Sequence, residues 1–175
     1  SVHRVRGNDG KSCTVDWSAE LLARGCREQF EGNSLMMAEY YYDEVRRMAA
    51  RRPTILGHID LITKFNEKLP LFDEEDPRYR AAALDALHEA DPAETLLEIN
   101  PGAMSRGYRR MPYPNLFLLR EWRSMGGRII LTADAHSADA IVYGYAQASA
   151  LAREAGYDRS AVLILTGWEE RPLPF

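Results

Sequence analysis

Residues 128–136 read Arg-Ile-Ile-Leu-Thr-Ala-Asp-Ala-His, an apolar run that ends in acidic and imidazole side chains. Short continuous apolar runs of this kind are typical of parallel strands that are buried on both faces. Similar runs recur along the chain, with segments of helical periodicity between them, so the sequence predicts an α/β fold. The five predicted strands cover residues 1–5, 54–60, 95–100, 128–134 and 161–166.

Four amphipathic helices are predicted between these strands, each from apolar spacing and from residues that start or stop helices. The first is capped by Asn33 or Ser34 and carries Met37, Tyr41, Val45 and Met48; the second covers 77–89; the third runs from Pro114 to the Gly126–Gly127 stop; the fourth is capped by Ser137 and buries Ile141, Tyr145, Ala148 and Ala152.

The composition excludes several classes of protein. The chain has 175 residues, 46% of them hydrophobic and 27% charged, which suits a single globular domain over residues 1–175. No apolar run approaches the roughly 20 residues of a membrane span. The net charge of −4 argues against nucleic-acid binding. Cys13 and Cys26 form no disulfide framework, which predicts reduced thiols and a cytoplasmic location.

Most of the unusual polar residues fall at the C-terminal ends of the predicted strands. Active sites of parallel barrels and open α/β sheets are built at that edge, so these residues are candidates for catalysis or binding. The candidates at strand ends are His58, Glu98, Asn100, Asp134 and His136.

Four polar residues form two pairs, each with a spacing of two residues. Asp134 and His136 would face the same side of an extended segment and could bind a divalent metal. Capping of the following turn by Asp134 is the alternative. His58 and Asp60 have the same spacing inside a predicted strand, where a buried His–Asp pair without a metal is the alternative.

A basic loop follows Asn100 and contains Arg106, Arg109 and Arg110. Arginine suits bidentate recognition of phosphate, although a solvated loop has the same composition. Glu98 and Asn100 either line the same pocket or only brace the strands. No serine or cysteine nucleophile motif is present, which leaves a metal-activated water as the natural nucleophile.

The motifs together resemble the PHP (polymerase and histidinol phosphatase) metallohydrolases, in particular their histidinol-phosphate phosphatase branch. The resemblance implies a distorted (β/α)7 barrel with metal ions at the C-terminal ends of the strands. The matching segments are Ser1-Val2-His3, residues 40–45, Gly57-His58-Ile59-Asp60-Leu61-Ile62, Leu97-Glu98-Ile99-Asn100, Tyr113-Pro114 and Thr132-Ala133-Asp134-Ala135-His136.

The resemblance also implies roles for individual residues. His3 and His58 would bind one metal, Asp134 a second and His136 a third, the metals being zinc, manganese or iron. Arg106, or else Arg109 or Arg110, would hold the phosphate of a small-molecule ester. The implied reaction is hydrolysis of L-histidinol phosphate to L-histidinol and phosphate in histidine biosynthesis.

The sequence departs from the family at its start, because it lacks the His-x-His motif and the bridging Glu of the first strands. We therefore expect the N-terminal strands of the barrel to be missing from this chain, and either self-association or an N-terminal segment to complete it. The alternatives are a PHP-type phosphoesterase for another substrate, such as a sugar phosphate or nucleotide, and an incomplete fragment that acts as a structural or binding module.

Overall fold

A computed structural model describes residues 1–8 and 10–175, which form two compact units. Both units combine helices with strands, and the second contains a parallel sheet, so the predicted α/β class is confirmed. Closure of a barrel and a single domain over 1–175 stay predictions. The first unit comprises residues 1–52 and 60–90, and the second comprises residues 53–59 and 91–175.

The first unit combines a small antiparallel hairpin with three α-helices, of which α2 packs against both α3 and β1. Its elements are β1 (Arg4–Arg6), β2 (Ser12–Thr14), α1 (Ala19–Gln29), α2 (Ser34–Ala49), a short 3-10 helix (Leu61–Thr63) and α3 (Pro77–His88).

Helix α2 confirms the first predicted helix. The side chain of Asn33 accepts a hydrogen bond from the backbone N–H of Met36, which satisfies one of the unpaired donors at the helix start. Met37, Tyr41 and Val45 are buried on one face, as their spacing predicts.

The first unit also corrects one predicted strand and adds one helix. Residues 1–5 were expected to join the parallel sheet, but β1 pairs antiparallel with β2, because the chain turns back at once and the N–H of Gly7 donates to the carbonyl of Lys11. Helix α1 was not predicted. Ser18, whose side chain caps the N–H of Leu21, is the local signal for it.

Two tyrosines form a buried pair between α2 and α3. The hydroxyls of Tyr42 and Tyr79 lie 2.8 Å apart, and both rings are inaccessible to solvent. Burial raises the pKa of Tyr42 well above its usual 10.0, and the neighbouring Tyr79 and Asp60 raise it further. The neutral phenol is therefore part of the folded state.

We expect Tyr42 to make the first unit sensitive to alkali. A folded pKa above the unfolded one contributes stability that is complete below pH 10 and is lost as the pH rises above it. The loss amounts to about 1.4 kcal/mol per pH unit above that point for this one group. Urea unfolding at pH 8–11.5 should show this loss. In Tyr42→Phe the free energy of unfolding should fall less steeply with pH, because one titrating group is removed. The same slope in the variant and the wild type would contradict the raised pKa of Tyr42.

The second unit is built on a five-stranded sheet with the order β3-β4-β5-β6-β7. Strands β3 to β6 are parallel, and β7 runs antiparallel to β6. Its elements are β3 (Ile55–Leu56), β4 (Leu96–Ile99), α4 (Gly102–Ser105), α5 (Leu116–Ser124), β5 (Arg128–Leu131), a 3-10 helix (Ala138–Ala140), α6 (Tyr145–Glu154), β6 (Arg159–Ile164) and β7 (Gly167–Pro172).

Two helices of the second unit begin later than predicted. Helix α5 starts after Asn115, whose side chain caps it, rather than at Pro114. The predicted helix from Ser137 is interrupted by Gly144, whose φ of +74° breaks the helical path, so α6 begins at Tyr145. Ile141 precedes this break and is 58% exposed rather than buried.

The last strand, β7, was not predicted, because it contains charged residues and no continuous apolar run. It lies at the edge of the sheet, where such residues are tolerated. Gly167, at a φ of +125°, marks the turn that leads into it. No helix among residues 1–8 and 10–175 is long and apolar enough to cross a membrane.

Candidate functional site

The polar residues at the strand ends of the second unit lie along one edge of its sheet. Glu98 is in β4, and Asn100 is the first residue after that strand. Asp134 and His136 follow β5, and His58 lies two residues after β3. The strands are parallel, so their C-terminal ends share an edge.

Arg106 follows α4 and places its guanidinium against both Asp134 and His136. Nη2 donates to Oδ2 of Asp134 at 3.2 Å, and Nη1 donates to the backbone carbonyl of Asp134 at 3.2 Å. Nη1 also lies 2.7 Å from Nδ1 of His136. No residue in the described part of the chain accepts from Nε of Arg106, so the Nε/Nη2 edge of the guanidinium can bind a ligand.

Nδ1 of His136 has two close neighbours that make opposite demands on it. It lies 2.7 Å from Nη1 of Arg106, from which an unprotonated nitrogen accepts, and 2.8 Å from the carbonyl of Asp134, to which a protonated nitrogen donates. The tautomer with its proton on Nε2 satisfies the first contact, and a ring protonated on Nδ1 satisfies the second. The ring is 67% exposed, which gives it access to a bound molecule.

The segment that carries Asp134 is not extended, which corrects the geometry predicted for the Asp-x-His pair. Asp134 has a φ of +47°, a left-handed conformation that aspartate tolerates better than most residues. As a result its carbonyl and its carboxylate both bind Arg106. The predicted capping of the next turn by Asp134 is replaced by this ion pair.

Glu98 and Asn100 are bound by their neighbours. Oε2 of Glu98 accepts from the backbone N–H of His58 at 2.8 Å and from Nδ2 of Asn100 at 3.1 Å. Oε1 accepts from Oγ1 of Thr132 at 2.7 Å. Oδ1 of Asn100 accepts from the N–H of Gly102 at 2.8 Å. These bonds hold both side chains in place, and their predicted part in a substrate pocket stays a prediction.

His58 lies outside any strand, which corrects its predicted position inside one. Strand β3 ends at Leu56, and His58 has a φ of +28° in the turn that follows. Its ring contacts that of Tyr113, with the two centroids 6.3 Å apart. The guanidinium of Arg109 lies 4.9 Å from the centre of the same tyrosine ring.

The three arginines of the basic loop therefore differ in environment. Arg109 is buried over Tyr113, Arg110 is exposed, and Arg106 is partly buried against Asp134. Arg106 is the one that the structure brings together with Asp134 and His136. The role of Arg109 in phosphate binding stays a prediction.

His3, the remaining predicted ligand, lies in the first unit, and its partner Asp16 was not singled out from the sequence. Nδ1 of His3 lies 2.8 Å from Oδ2 of Asp16. Burial raises the pKa of Asp16, but hydrogen bonds from His3 and Thr14 outweigh it, and the net pKa is lowered. The predicted sharing of a metal by His3 and His58 stays a prediction.

The described residues do not fit a metal centre. Across residues 1–8 and 10–175, no group of three or more His, Cys, Asp or Glu side chains is arranged to hold a metal ion. Asp134 and His136 could supply oxygen and nitrogen ligands, but the cationic guanidinium of Arg106 already contacts both. Glu98 is fully engaged with three donors.

Gly102 allows the close approach of Asp134. A Cβ atom at this position would lie 2.8 Å from both Cβ and Oδ2 of Asp134 and 2.9 Å from Oδ1 of Asn100. We expect Gly102→Ala to displace Asp134 and to cost about 1–3 kcal/mol in the free energy of unfolding. Urea unfolding and phosphate titration of the variant would test this, and wild-type values in both would contradict it.

The fold resembles that of a solved structure. This is the crystal structure of the "putative histidinol phosphatase hisK" from Listeria monocytogenes, which matches with a TM-score of 0.65 at 19% sequence identity. The two chains share a fold. The match covers 83% of this chain and 55% of the other, so this chain spans about half the length of that protein. No family model and no curated protein matches the sequence.

Proposed function

We propose that this chain belongs to a phosphomonoester hydrolase of the PHP type, whose substrate is L-histidinol phosphate. The observation that carries the proposal is the guanidinium of Arg106, which Asp134 and His136 hold at the C-terminal edge of a parallel sheet. The resemblance in fold to the Listeria protein supports the same reaction class.

Arg106 binds the phosphate through its Nε/Nη2 edge. A planar guanidinium offers two parallel N–H groups to two phosphate oxygens, and both bonds are strengthened by charge. Asp134 accepts one N–H from Nη1 and one from Nη2, so the side chain is oriented before the ligand arrives and Nη2 keeps its second N–H for the phosphate. Its partial burial, with 27% of the side chain exposed, strengthens the interaction relative to a solvated arginine.

His136 donates a proton to the leaving group. Hydrolysis breaks the bond between phosphorus and the ester oxygen, and a water oxygen takes its place on phosphorus. The departing alkoxide gains a proton and the attacking water loses one, so the imidazolium form of His136, next to Arg106, would give the first proton and the resulting neutral ring would take up the second. Because the described residues do not fit a metal, no step is assigned to one.

A second candidate is a phosphate-binding module without turnover, and the absence of a metal-binding group among the described residues favours it. Both candidates need Arg106 to bind phosphate, and they differ in whether the ester is cleaved. A PHP-type hydrolase acting on a sugar phosphate or a nucleotide is the alternative within the first candidate.

Turnover decides between the two candidates. Purified protein would be assayed for phosphate release from L-histidinol phosphate, a sugar phosphate and a nucleoside monophosphate, with and without added zinc or manganese. Elemental analysis of the same sample would give its metal content. Preferential hydrolysis of L-histidinol phosphate supports the proposed reaction. Saturable binding without hydrolysis under every condition would refute it in favour of the binding module.

A further inference from the structure

The carboxylate of Glu98 connects three separate segments of the second unit. It accepts from the backbone N–H of His58 after β3, from the side chain of Asn100 after β4 and from the hydroxyl of Thr132 after β5. These segments are joined in the sequence only through long connections. One side chain therefore sets the relative positions of three strand ends.

His58, whose backbone N–H binds Glu98, has an unusual backbone conformation. Its φ of +28° lies in a region that non-glycine residues rarely adopt, because Cβ then crowds the backbone. Such a conformation persists only where its surroundings impose it. The bond of 2.8 Å from the N–H of His58 to the buried carboxylate is a contact that can do so.

A carboxylate suits this position better than an amide. All three partners donate to Glu98, and the charge of a carboxylate strengthens each of these bonds. An amide of the same shape could keep its oxygen towards His58 and Asn100 and donate its NH2 group to the hydroxyl of Thr132, so it would preserve the contacts but remove the charge. Glu98 is 9% exposed, and a buried charge of this kind requires hydrogen-bond partners.

We infer that Glu98 is a positioning residue: it fixes the turn of His58 relative to the strand that leads to Asp134, and it does not contact the substrate. Thr132 lies two residues before Asp134, so its bond to Glu98 links the two segments. The consequence for hydrolysis rests on the proposed function, whereas the effect on His58 does not.

The test is an NMR comparison of variants in the whole chain. Glu98→Gln should speed hydrogen exchange of the His58 amide by about fivefold to tenfold, because a neutral oxygen replaces the charged acceptor of its hydrogen bond. It should also move the His58 amide proton upfield and shift its Cα resonance. Thr132→Val should cause smaller changes in the same direction, and Thr132→Ser, which keeps the hydroxyl, should restore wild-type spectra.

Glu94→Gln is the matched control, because Glu94 is exposed and lies just before the same strand. It should leave the His58 signals unchanged. Inorganic phosphate would be titrated into each variant, and its Kd should change less than about threefold in Glu98→Gln, a small effect beside that of losing a charged contact.

Two results would overturn the inference. One is an unchanged His58 amide in Glu98→Gln. The other is tenfold weaker phosphate binding with unchanged His58 signals, which would place Glu98 in contact with the ligand. If Glu98→Gln does not fold, the pair Thr132→Val and Thr132→Ser decides by the same signals. A chain that hydrolyses nothing would refute the proposed function and leave this test valid.

Discussion

Arg106→Ala is expected to weaken the binding of inorganic phosphate and of L-histidinol phosphate by roughly 10- to 150-fold. This range corresponds to the roughly 1.5–3 kcal/mol of a hydrogen bond to a charged group. The variant removes the fork of N–H groups and leaves the carboxylate of Asp134, which would repel the anion. Isothermal titration calorimetry with both ligands would measure the effect.

Arg110→Ala is the matched control, because Arg110 lies in the same loop and is exposed. Both variants remove one positive charge, so a difference between them reports position rather than net charge. Arg106→Lys separates charge from shape and should recover only part of the affinity, since an ammonium cannot form two parallel bonds. Equal affinities of Arg106→Ala and Arg110→Ala would contradict the assigned role of Arg106.

Trp122→Ala is expected to cause the largest loss of stability, about 3–5 kcal/mol in the free energy of unfolding. Trp122 is completely buried in α5, and its Nε1–H donates to the carbonyl of Arg128 at 2.9 Å. The alanine variant would leave a cavity and an unpaired carbonyl at the start of β5. Urea unfolding followed by far-UV circular dichroism would measure the loss.

Trp17→Ala is the control for Trp122→Ala, because it removes the same side chain from a position that is 77% exposed. Surface substitutions usually change stability by no more than about 0.5 kcal/mol. Comparable losses in the two variants would show that Trp122 is not part of the core.

Local signals explain which parts of the fold could be predicted. Helix α2 has a cap at Asn33 and an apolar face that includes Met37 and Tyr41, and both are encoded within a few residues. Strand β4 is apolar except for Glu98 and strand β5 is apolar after Arg128, as expected for a buried parallel sheet. The partner of β1 could not be predicted, because pairing depends on where the chain turns back.

The sequence predicted where the candidate site lies, but not which of its side chains contact one another. The C-terminal ends of parallel strands share one edge of a sheet, which brings Asp134 and His136 together there, and the basic loop adds Arg106. The sequence did not reveal that Arg106 contacts both residues, or that Thr132 binds Glu98, because these partners lie about 30 residues apart. Left-handed conformations at His58 and Asp134 also have no local sequence signal.

The most direct test of the phosphate site follows the Nε–H resonance of Arg106 by ¹H–¹⁵N NMR while L-histidinol phosphate is added. Arg106→Ala would assign the resonance, and the Nε–H of Arg110 would serve as the internal reference. We predict a saturable shift of the Arg106 signal with little change in the Arg110 signal. An Arg106 resonance that stays in place while the ligand binds would show that phosphate is held elsewhere and would contradict the proposed site.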